Sequence, residues 1–98
     1  FAFGSAARSA SEAVDMARTE GIKAGLLRPI TIWPFPDEAV VRVASRVKAI
    51  LVAEMNLGQL LGEVQRANEG RTRVAHFSRI DGLLPRPEQI LARIKELA

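Results

Sequence analysis

The sequence predicts a three-layer α/β/α fold built on a mainly parallel sheet. Three observations carry that prediction. Short apolar runs alternate four times with stretches of helical periodicity. The run from Ala49 to Ala53 is apolar without a break, as a central strand covered on both faces requires. Glycine, proline and acidic residues mark the helix ends where capping chemistry places them. With 98 residues the chain can build one core but not two, so residues 1–98 are read as a single domain.

Phe1 to Gly4 is a short apolar run that stops at Gly4-Ser5, a helix-start signal. Ala6, Ala10, Ala13, Val14 and Ala17 follow at helical spacing, and Glu20-Gly21 closes that helix with Gly21 as a left-handed cap. Ile22 to Arg28 reads as a second strand and leads into a proline-rich connection, Pro29 to Pro36. The second helix opens with Pro36 near its first position and Asp37-Glu38 in its first turn, where acids suit the positive end of the dipole. Its apolar stripe is Val40, Val43, Ala44 and Val47.

The third strand is Ala49 to Ala53. Leu57, Leu60, Leu61 and Val64 then fall at one-face spacing, and Asn68-Glu69-Gly70 ends that helix. Arg73 to Ile80 is the last strand, of mixed polarity and so nearer an edge. Asp81-Gly82 turns the chain, and Pro87 opens a final helix whose buried stripe is Ile90, Leu91, Ile94 and Leu97. Right-handed crossovers leave few strand orders, of which 2-1-3-4 is favoured. That order reverses direction between the first and third strands. Gly4-Ser5-Ala6-Ala7 and the run Glu54 to Gln59 meet outside their carboxyl ends, where ligands and partners of open α/β sheets gather.

Composition narrows the function classes. An apolar fraction of 48% with 26% charged residues is ordinary for a globular domain and argues against disorder. No apolar run approaches the ~20 residues of a membrane span, and no signal-peptide core opens the chain. The net charge is +3, but the basic residues are scattered over polar helix positions rather than gathered beside aromatics, so nucleic acid is not an expected partner. Absence of cysteine removes disulfides, thiolate ligands and a sulfur nucleophile, and fits a reducing cytoplasm. The chain starts at Phe1 inside an apolar run, so a fragment of a longer polypeptide is expected, with upstream sequence completing the sheet.

Several residues stand out, each with two readings. Glu54 lies at a strand tip and Asn56 at the position of a helix N-cap; Gly58 and Gln59 follow. Capping and close packing at Gly58 explain the segment, as does contact with an anion or partner at free first-turn amides. Trp33-Pro34-Phe35-Pro36 sets the only tryptophan beside a phenylalanine in a proline-stiffened loop. Such a pair is either a lid over the core or an interface anchor, and the rigidity leans towards the interface. Arg28, at the end of its strand, is placed to pair with Glu54 or to clamp a substrate. His76 stands without an acid at triad or ligand spacing and reads as structural. Ser5 reads as a helix cap, because Gly-Ser-Ala-Ala-Arg lacks the second glycine of a nucleophile elbow and completes no dinucleotide fingerprint. No catalytic, cofactor-binding or metal-ligating residue is assigned.

Taken in order, Gly4-Ser5-Ala6-Ala7-Arg8, the run Gly21 to Pro36 and Glu54-Met55-Asn56-Leu57-Gly58-Gln59 resemble the C-terminal domain of the alpha subunit of 2-oxoacid:ferredoxin oxidoreductases, the 2-oxoglutarate and branched-chain members above all. The resemblance runs over nearly the whole chain. It implies the transketolase C-terminal-domain fold with one further antiparallel strand supplied upstream. It also implies a parent enzyme that uses thiamine diphosphate, magnesium and an iron–sulfur cluster to convert a 2-oxoacid and coenzyme A to acyl-CoA, CO2 and reduced ferredoxin. The implied partners are a beta subunit, a second alpha subunit and ferredoxin through the complex, in the cytoplasm.

This domain would bind none of those cofactors, would make subunit contacts and would be inactive alone. Arg28, Pro29, Trp33, Pro34 and Phe35 match one family signature, and Glu54, Asn56, Gly58 and Gln59 a second. Asp81 stands where the family has glycine or a small residue, and Arg86 where threonine is common. Two rival readings remain: the equivalent domain of another transketolase-type thiamine enzyme, and a stand-alone flavodoxin-like module that binds an anion between Ser5 and Asn56.

Overall fold

Ala49–Ala53 forms strand β1 and Arg73–Phe77 forms β2, paired in parallel with Ala49 opposite Arg73 and Ala53 opposite Phe77. The computed structural model describes residues 1–55, 58–79, 81 and 83–98. Four helices complete it: α1 Ser5–Thr19, α2 Asp37–Ala44, α3 Gln59–Asn68 and α4 Pro87–Leu97. The α/β class therefore stands, with α1 and α4 packed together over one face of the sheet and α2 and α3 over the other.

Two of the four predicted strands are only partly built. The Phe1 backbone nitrogen donates to the Leu51 carbonyl at 2.9 Å, and the Phe1 carbonyl accepts from the Ala53 N–H at 3.1 Å. The Ala2 N–H reaches the Leu27 carbonyl at 3.2 Å. Neighbours across the sheet thus run Leu27, Ala2, Ala53, Phe77, which is the expected order 2-1-3-4. Gly4 at φ +64° swings the chain into α1 and so ends the first segment. In the second, the Arg18 Nε takes the Ala24 carbonyl at 2.7 Å. β2 also stops short of its predicted reach, at Phe77.

The helix ends follow local chemistry. Gly21 sits at φ +84°, and its N–H bonds the Arg18 carbonyl while the Ile22 N–H bonds that of Ala17. This double bond pattern closes α1 as the glycine predicted. Pro87 occupies the first turn of α4, and the Gln89 side chain accepts from the Arg86 N–H at 3.0 Å. Val47 leaves the predicted apolar stripe, since α2 ends at Ala44 and Val47 is exposed.

The two faces of the core differ in kind. Under α1 and α4 it is built from alanines (Ala6, Ala10, Ala13, Ala17) closed by Ile90 and Leu91. Small side chains let α1 lie close to the sheet. Under α2 and α3 it is built from Phe1, Val40, Ile50, Val52, Leu60 and Val64.

Candidate functional site

The carboxyl ends of the strands carry the residues that the sequence singles out, and the structure sorts them into two groups. Glu54 belongs to the interior. It leaves the tip of β1 only 2% exposed, its Oε1 accepting from the Leu60 N–H at 3.1 Å and its Oε2 from the Leu61 N–H at 3.0 Å. A carboxylate across first-turn amides satisfies donors that a helix cannot pair internally, and it complements the dipole. His76, on the neighbouring strand, brings its buried Nε2 to 3.0 Å from Oε2, off the line of a hydrogen bond. The Arg93 guanidinium holds the other end of that residue through the His76 carbonyl at 3.2 Å.

This geometry corrects three expectations. Glu54 faces α3 and His76, so it does not pair with Arg28. The cap position of α3 is held by Gly58 in the left-handed region at φ +90°, with Gln59 exposed as the first helical residue. Asn56, read as that cap, lies outside the described residues. Two of the first-turn amides expected to be free for an anion are engaged by Glu54, which counts against the anion-binding module at this end.

Ser5 is likewise displaced from its expected role. It is the first residue of α1, exposed, while Gly4 occupies the cap position and no side chain bonds that end. Arg28 is exposed and lines a shallow depression of about 370 Å³ with Phe3, Gly4, Pro29 and Ile30.

The Pro29 to Pro36 loop divides at its middle. Phe35 turns inward and stacks on Phe1 with ring centroids 5.7 Å apart. The Arg66 guanidinium lies 5.8 Å from the Phe35 ring centroid and grips Asp37 through bonds of 2.9 and 2.8 Å. Those bonds hold the Asp37 carboxyl below the usual carboxylate range. Trp33 turns outward and is 71% exposed. It is therefore no lid over the core. Of the two readings the loop allowed, the structure removes one for Trp33 and gives the inward role to Phe35.

Sequence reasoning missed four further residues like Trp33. Phe3, Ile30, Met55 and Leu83 are exposed large apolar residues, Ile30 at 94%. With Trp33, each follows the carboxyl end of one of the four sheet segments, so they share one edge of the molecule. The signal was legible: each is a large apolar residue just beyond a strand, in a loop punctuated by glycine or proline. Asp81 shapes the last of these loops; the Leu83 N–H, and then the Arg79 guanidinium, hold its carboxyl below the usual range.

A sequence without cysteine supplies no thiolate to an iron–sulfur cluster. Among the described residues no three acidic or histidine side chains converge as metal ligands would. Among them, too, no helix is long and apolar enough to cross a membrane.

Comparison with known proteins gives a family and several relatives. The sequence pattern described as pyruvate:ferredoxin oxidoreductase core domain II matches residues 1–90. A 2-oxoglutarate synthase subunit KorA from Methanothermobacter thermautotrophicus is 44% identical over 95 residues, 97% of this chain and 25% of the relative. A KorA subunit from Methanothermobacter marburgensis is 42% identical over 92 residues, covering 94% of this chain and 24% of the relative. A ketoisovalerate oxidoreductase subunit VorB from the same organism is 40% identical over 97 residues, 99% and 27% respectively. The chain thus spans about a quarter of the length of the curated relatives it matches.

Proposed function

Because the chain belongs to the pyruvate:ferredoxin oxidoreductase core domain II family, we propose that it serves a 2-oxoacid:ferredoxin oxidoreductase as the domain that makes its subunit contacts. The parent reaction in this reading is the oxidative decarboxylation of a 2-oxoacid with coenzyme A, giving acyl-CoA, CO2 and reduced ferredoxin. Relatives named for 2-oxoglutarate and ketoisovalerate support a 2-oxoacid as the substrate class. Thiamine diphosphate, magnesium and the iron–sulfur cluster belong to other parts of the enzyme. The partners are a beta subunit and a second alpha subunit, in the cytoplasm, and the isolated domain has no activity.

The observation that carries this reading is the apolar edge. Large apolar side chains exposed on the loops beyond the sheet segments, at least one per segment, would supply the desolvating centre that stable interfaces are built around. Trp33 is the natural anchor, held out by a loop whose base is fixed through Phe35, Asp37 and Arg66. Anchoring a large side chain on a pre-set loop limits the entropy lost on association.

The test is co-purification of the complete alpha polypeptide with its partner subunits after changing Ile30→Asp and Trp33→Asp together. Loss of the partner with an unaltered melting temperature of the isolated polypeptide is expected. Full recovery of an active complex from the double variant would overturn the reading.

A further inference from the structure

Arg28 stands inside the proposed contact edge without a counter-charge from its own chain. It is exposed, and it borders the shallow depression of about 370 Å³ together with Phe3, Gly4, Pro29 and Ile30. Phe3 and Ile30 belong to the exposed apolar set, so a surface that covers them covers the guanidinium as well. Among the described residues Arg28 makes no ion pair. Glu54, the acid expected to meet it, spends its oxygens on α3 and His76. Two other arginines are already engaged, Arg66 by Asp37 and Glu63, and Arg79 by Asp81. Nor does the neighbouring helix supply an acid: the first turn of α1, entered through Gly4, holds none.

Left in water, an unpaired arginine costs the fold nothing. Enclosed in an apolar contact it loses its hydration, and only a well-placed opposite charge offsets that loss. Of the anions a protein surface offers, the carboxylate fits the guanidinium fork, taking two parallel N–H bonds. The backbone at Arg28 is held for such a contact. On one side the Leu27 carbonyl accepts the Ala2 N–H at 3.2 Å, and on the other the Pro29 ring restricts the chain.

We propose that Arg28 takes an aspartate or glutamate carboxylate of the partner subunit as the apolar edge closes, and that this pair selects the partner. The inference rests on the subunit-contact reading of that edge. Apolar contact through Ile30 and Trp33 alone would accept many surfaces. A surface with no acid opposite Arg28 is rejected, because it would bury the guanidinium unpaired.

Arg28→Met in the complete alpha polypeptide separates this pair from a purely apolar contact by the sign of its effect. If a carboxylate faces Arg28, the variant leaves that acid buried alone, and the Kd for the partner subunits is expected to rise at least about thirtyfold. Against a surface without an acid, the same change removes a desolvation cost and tightens association. Arg28→Lys keeps the charge but not the fork, and should weaken association by less. Both variants should melt with the parent as isolated alpha polypeptides, because the side chain is exposed. Tighter or unchanged association of Arg28→Met overturns the proposal, as does a fall in its melting temperature that accounts for the weakening. An intact complex with a raised KM for the 2-oxoacid or coenzyme A also overturns it, assigning Arg28 to a small-molecule anion. Failure of the contact edge reads differently: Ile30→Asp with Trp33→Asp would then leave the complex intact and remove both readings. A broken double variant beside an unaffected Arg28→Met removes the carboxylate alone.

Discussion

Glu54 and Trp33 lie in consecutive strand-to-helix connections, and both stood out in the sequence: Glu54 as a carboxylate at a strand tip, Trp33 as the only tryptophan, in a proline-stiffened loop. The structure gives them opposite tasks. The Glu54 carboxylate points inward, is nearly unexposed and spends both oxygens on α3 and His76. The Trp33 ring points outward and is 71% exposed. An unusual residue at a functional edge is therefore not itself a contact residue: where its polar atoms or its apolar surface find their partners decides the matter.

The contrast makes its largest prediction at Glu54. Glu54→Ala leaves two first-turn amides unpaired, one of them on buried Leu60, and removes the companion of His76. Breaking a buried, hydrogen-bonded charge costs about 3–5 kcal/mol. For a domain of this size that is a fall in melting temperature of more than about 10 °C. Glu54→Gln, which keeps one acceptor, should fall by less. A melting temperature within a few degrees of the parent for Glu54→Ala would place Glu54 with Trp33 and erase the distinction.

How much of this was legible depended on the range of the interaction. Gly21, Pro87 and the stripe Ile90–Leu91 act within a turn or two of themselves, and their roles came through. The Glu54–His76 approach and the Arg66–Asp37 pair join residues 22 and 29 positions apart, and no local periodicity encodes them. Ser5 failed as a cap because Gly4, free to take a positive φ, already occupied that position. In the predicted strand from Ile22 to Arg28, the Leu27 carbonyl takes the Ala2 N–H and the Ala24 carbonyl takes Arg18.

A second prediction tests the floor on which the loop stands. Phe35 rests on Phe1, whose amino nitrogen is buried in the sheet. In the 98-residue polypeptide that amine titrates near 8.0 when unfolded and about 6 when folded. The unfolded chain then binds more protons between those values, so stability rises with pH across that window. Burying the charged amine therefore costs the fold about 3 kcal/mol, in full below pH 6 and not at all above pH 8. Denaturant unfolding at pH 5.5 and 8.5 (two settings chosen to lie outside the window) reads it directly. Adding one residue ahead of Phe1 should abolish the dependence; an unchanged slope would locate the titrating group elsewhere.

The smallest effect on stability is expected where the largest effect on assembly lies. Phe35→Ala removes the stack on Phe1 and the ring beneath Arg66, and should cost about 1–3 kcal/mol with the loop's base loosened. Trp33→Ala removes a side chain that is 71% exposed, and should change stability by no more than about 0.5 kcal/mol. If Trp33 anchors an interface, the same substitution should weaken association of the complete subunit by about 2 kcal/mol or more, roughly thirtyfold in Kd. Measuring both quantities on both variants separates the roles within one loop. Phe35 should move stability first and association through it, whereas Trp33 should move association alone. A Trp33→Ala protein that melts as early as Phe35→Ala would show the ring to be part of the core, and the apolar edge would then lose its anchor.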